Sequence, residues 1–82
     1  MTEDERDDLK RKLNVYERQR VKLETSVRQY ENLIEELQAQ HEQNPNDNDI
    51  FRELQEAIHK RQVKIIEHGK TMRIISGLEW LI

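Results

Sequence analysis

Three histidines, seventeen carboxylates and no cysteine are the groups in this 82-residue chain that can bind metal or move protons. One spacing among them matters. Glu56-Ala57-Ile58-His59 matches the Glu-x-x-His element with which helical bundles hold paired iron ions. That chemistry needs both side chains to point into the bundle and a second copy of the element on a facing helix. There is no second copy, and the heptad register derived below puts Glu56 and His59 at f and b, on the outer face. No His-Glu-x-x-His, P-loop, nucleophile elbow or phosphate-cradling glycine loop is present. Without cysteine there is neither a thiolate metal site nor a disulfide framework. The expectation is a protein that is not an enzyme, with no catalytic, metal-binding or cofactor-binding residues.

Phosphate recognition is the other chemistry to weigh. Residues 10–28 carry seven basic and two acidic side chains, a net of +5. Residues 29–56 carry one basic and eight acidic, a net of −7, and residues 57–82 five and two, a net of +3. Folded back on itself, the chain becomes a rod with a basic body and an acidic turn end. Arg11, Arg18, Lys22, Arg28, Lys60 and Lys64 are the cations a phosphate backbone would meet. An RNA- or DNA-binding hairpin dimer is therefore the alternative reading of function. Against it stand a pI of about 5.6 and glutamates that interrupt the stripe. Tyr16 and Tyr30, moreover, fall on the apolar seam, which favours a place in the core over contact with bases.

The elements that position these side chains follow from two ladders. Leu9, Leu13, Tyr16, Arg20, Leu23, Val27, Tyr30, Ile34 and Leu37 step alternately by four and three. Phe51, Leu54, Ile58, Arg61, Ile65, His68, Met72, Ile75, Glu79 and Ile82 do the same. That alternation is the seam of a left-handed coiled coil. It predicts an all-α fold, a two-helix antiparallel coiled-coil hairpin, as one helical domain over residues 1–82. Thr2-Glu3-Asp4-Glu5 reads as a capping box that opens helix 1 at about residue 3, and the helix runs to about 42. The turn lies at about 43–48, where Asn44 preceding Pro45, or Asp47 or Asn48, could cap helix 2. Helix 2 covers about 49–81.

With Leu9 as d and Phe51 as a, facing residues have numbers that sum to 88, so Leu37 meets Phe51 and Ile34 meets Leu54. Arg20 then opposes His68, and Arg61 opposes Val27. These three polar residues read as setters of register within the seam, with Arg61 reaching Glu24 or Glu31 and Arg20 reaching Glu24 or Glu67.

Charged residues make up 38% of the chain and aromatics 5%, the composition of long solvated helices. No apolar run spans a membrane and the N-terminus is acidic, which points to a cytoplasmic or at least intracellular protein with no membrane association. So small a hairpin needs further packing to be stable. Leu33, Ile50, Ile66, Ile74, Leu78, Trp80, Leu81 and Ile82 are the expected partner or oligomer interface, most of them on a C-terminal apolar face. Gly69 and Ser76 share one helical edge and would let another backbone approach closely. The charge segregation favours a homodimeric four-helix bundle whose hairpins point their turns in opposite directions.

In size and hairpin layout the chain resembles two groups, the two-helix co-chaperones of type III secretion and the RNA-binding hairpin dimers that control plasmid copy number. The likeness is of layout and covers no diagnostic residues. The expected function is a non-enzymatic protein–protein interaction module. It would be a small coiled-coil adaptor, chaperone or complex subunit that self-associates or docks on a larger protein partner.

Overall fold

The structure, a computed structural model, describes all 82 residues, which form two helices, α1 over Glu3–Gln43 and α2 over Asn48–Leu81, joined by a short turn. They pack antiparallel into a rod of 64 × 14 × 14 Å. Each end of each helix has a local cause. The Thr2 hydroxyl accepts from the Glu5 backbone N–H at 3.2 Å, and the Thr2 N–H donates back to Glu5 Oε2 at 3.4 Å. This closes the capping box and satisfies two of the donors a helix start leaves open. α1 stops at Asn44, whose backbone (φ −132°, ψ 67°) is held out of the helical region by the ring of Pro45. The Asn44 N–H still reaches Gln40 O at 2.9 Å. The Asp47 N–H donates to Asn44 O at 3.1 Å and tightens the turn.

Of the candidate caps for α2, Asp47 is the one used. Its Oδ1 accepts from the backbone N–H groups of Asp49 at 3.0 Å and Ile50 at 3.3 Å. Pro45 therefore lies in the turn and not at the first position of the helix.

Along α1 the expected ladder is the buried one. Every rung from Leu9 to Leu37 is buried or half-buried, and His41 extends it by one step. In α2 the seam differs from the expectation. Leu54, Arg61, His68, Ile75 and Ile82 face α1 as expected, but the alternate rungs are Ile50, Ala57, Lys64, Thr71 and Leu78. Phe51, Ile58, Ile65 and Met72 are left 49, 38, 39 and 38% exposed. Glu79 is exposed as well.

Two physical causes produce this correction. The turn is centred between Pro45 and Asn46, not on Asn44, so residues at one level along the rod have numbers that sum to 91 and not 88. Leu37 then lies level with Leu54, and Ile34 with Ala57. These four form the one cluster of buried apolar residues. One contact near the turn agrees with the shift, for the rings of His41 and Phe51 lie 5.7 Å apart. The second cause is size. Ala57, only 2% exposed, lets the helices close where Ile58 would hold them apart. α2 consequently turns by about 50°, half of one residue step, relative to the expected seam.

A candidate interaction face on α2

The rotation of α2 creates a surface that the ladders did not foretell. Phe51, Ile58, Ile65 and Met72 form one row on the outside of the rod, and Gln55, Gln62, Gly69 and Ser76 alternate with them. All eight are exposed, and no charged side chain interrupts the row over its length. Its steps of four and three repeat the seam's own spacing, so α2 carries two coiled-coil faces side by side. The signal was present in the sequence as an uncharged heptad row. It is masked because the Phe51 and Leu54 rungs also make one continuous ladder.

α1 forms one bank of this row. Ile65 and His68 share a surface groove with Glu24, Val27, Arg28 and Glu31. Two of the polar seam residues, Arg20 and His68, meet at one carboxylate of its lining, Glu24. Arg20 Nη1 lies 3.1 Å from Glu24 Oε1, and His68 Nε2 lies 3.6 Å from the same oxygen. Glu17 Oε2 accepts from Arg20 at 2.8 Å through Nη2 and at 3.0 Å through Nε. The hydrogen bond and charge of Glu17, followed by the charge of Glu24, raise the Arg20 pKa further above its already high value.

The expected opposition of Arg20 to His68 is therefore corrected. With the register shifted, Arg20 lies level with Thr71 and His68 with Leu23, and the two meet through Glu24. Arg61 also departs from expectation. It pairs with neither Glu24 nor Glu31, and its Nε is enclosed without a hydrogen-bond partner. Glu24 now stands about 9 Å along the rod from the level of Arg61.

The residues expected to form a partner interface do not share one face. Ile50, Leu78 and Ile82 are half-buried between the helices, because the rotated seam takes them in. Ile66 and Trp80 lie on the back of α2, Trp80 with 88% of its surface exposed. Ile74 and Leu81 lie on the opposite flank from Ile65, on the side where Leu33 borders a shallow groove with Tyr30, Ala57 and Lys60. Ile66 and Trp80 adjoin the new row, each one turn beyond one of its members, Gln62 and Ser76.

The basic residues are also divided. Arg11, Arg18, Lys22 and Arg28 are exposed along α1, with Arg11 3.9 Å from Asp8. Lys60 emerges on the Leu33 flank. Lys64 is turned into the seam, half-buried, and pairs with Glu67 at 3.5 Å. The rotation of α2 that buries Ala57 carries Lys64 inward with it, so no continuous basic stripe crosses from α1 to α2. Glu56 and His59 are exposed, and the structure gathers no group of three or more His, Asp or Glu side chains able to hold a metal ion. No helix is long and apolar enough to cross a membrane.

Comparison with protein-family models, with curated protein sequences and with solved structures finds no match to this chain.

Proposed function

We propose that this chain is a non-enzymatic protein–protein interaction module, a helical hairpin that works by packing against further helices and first of all against copies of itself in a four-helix bundle. One observation carries the reading: α2 has two heptad rows side by side, and α1 covers only one of them, leaving Phe51, Ile58, Ile65 and Met72 exposed in an uncharged row. The surface area points the same way. The hairpin exposes 6596 Å², against about 5,200 Å² for a compact monomer of this mass. Only 7 of its 82 residues are buried, too few for a chain of this size to hold its fold firmly without further packing.

The test is solution mass together with helicity, followed by sedimentation and circular dichroism over a wide dilution series. Self-association linked to folding requires mass and helicity to fall together on dilution. A hairpin that stays fully helical and monomeric throughout overturns the reading.

A second reading, binding of RNA or DNA, draws on the exposed row of Arg11, Arg18, Lys22 and Arg28 on α1. It requires an affinity that falls steeply with added salt. Absence of binding to RNA and to DNA at low salt removes it.

A further inference from the structure

Resting on that reading, we propose that the Phe51–Ser76 row of α2 is the self-association face and that α2 lies along it antiparallel to α2 of a second copy. Residues at one level across this contact have numbers that sum to 127.

The spacing of the row is the first support. Read forward from Phe51 or backward from Ser76, it takes the same steps of four and three. An antiparallel copy therefore meets all eight positions at once, over a length of about 38 Å. Side-chain size is the second. In this arrangement Phe51 faces Ser76 of the second copy and Ile58 faces Gly69, while Met72 and Ile65 face Gln55 and Gln62. A parallel copy would stack each bulky residue on itself and each glutamine on itself. Gly69 has nothing within 4 Å of the place a Cβ would occupy, so the hairpin itself makes no use of its small size. A second backbone approaching over Ile58 does.

Charge is the third support and chooses the direction independently. The same two-fold axis lays α1 of each copy along α1 of the other, with residues 29–45 beside residues 10–26. The first stretch has four acidic side chains and no basic one, the second six basic and two acidic. A parallel arrangement would set like against like. The surface in excess of a compact monomer, about 1,400 Å², is ample for the roughly 800 Å² per partner of a standard interface.

The absence of native cysteine allows a direct test. Gln55→Cys and Ser76→Cys each replace an exposed, uncharged residue of the full chain. In the proposed packing Gln55 lies about 6 Å along the rod from Ser76 of the second copy. Each is about 26 Å and 38 Å, respectively, from its own equivalent. When the two variants are mixed, allowed to exchange and treated with a short bis-maleimide, the mixed dimer should cross-link at least ten times more than either variant alone. Cross-linking of Ser76→Cys with itself indicates parallel packing and overturns the proposal. A dimeric mass without cross-links places the contact on another face and overturns the proposal while leaving self-association standing. A folded monomer without cross-links overturns both and leaves the row to a different protein.

Discussion

His68 Nε2 lies 3.6 Å from Glu24 Oε1, and this is the one acid–base pair that reaches from α2 to α1. Every other ion pair and every side-chain hydrogen bond in the hairpin is local to one helix or its cap. The helices are thus joined by apolar packing along a thin seam, with Glu24 as the meeting point of its polar stretch. Half-exposed pairs of this kind contribute little to stability. Glu24→Gln should lower the Tm by no more than a few degrees at low salt, and the difference should close at about 1 M salt, where charges are screened. Thermal melts at the two salt concentrations check this. A large loss that persists at high salt would mean that Glu24 has a packing role.

Ala57 distinguishes the two registers. At 2% exposure beside Ile34, Leu37 and Leu54, it has no room for a larger side chain. Ala57→Leu should destabilise the hairpin by about 1–3 kcal/mol through overpacking. Truncation of its neighbour, Leu54→Ala, should cost about 2–5 kcal/mol by leaving a cavity. Denaturant unfolding at fixed protein concentration measures both. A neutral Ala57→Leu would restore the seam in which Ile58 faces α1.

Arg61 is a seam residue whose enclosed Nε has no partner. Replacing it with methionine keeps the covering methylene stem and removes the unsatisfied donor. Arg61→Met should raise stability by about 1 kcal/mol, which corresponds to a Tm increase of about 4–8 °C for a domain of this size. Because a polar seam residue also holds register, the cross-linking pattern of the variant should be examined alongside its Tm. A loss of stability would show that the guanidinium is engaged in the assembled protein.

The start of α2 depends on one side chain. Asp47 Oδ1 holds the N–H groups of Asp49 and Ile50, and Asn48 is already helical. Asp47→Ala should cost about 1 kcal/mol, whereas Asn48→Ala should change stability by less than half of that. Unfolding curves of the two variants, compared with wild type, separate a cap at 47 from one at 48.

Much of the fold was legible because helix periodicity and capping are local. The phased rungs of α1 and the Thr2–Glu5 box needed only neighbours within one turn, and the structure contains both. The face of α2 was not legible. Phe51, Leu54, Ile58 and Arg61 make a valid heptad row, and so do Ile50, Leu54, Ala57 and Arg61. Hydrophobicity alone favours the first, since isoleucine is more apolar than alanine. Closeness of approach favours the second. Only the turn, which sets the level at which the helices meet, decides which packing is reached.

The sequence by itself determined that there are two helices, where they begin and end to within a residue or two, and that they fold back at the break that Pro45 marks. These depend on backbone sterics and on hydrogen bonds between near neighbours. The tertiary structure alone decided that Ala57 and Thr71 face α1 while Ile58, Ile65 and Met72 face outward. α2 is apolar over an arc wider than one helix can cover, and the choice of which part to bury belongs to the geometry of the pair.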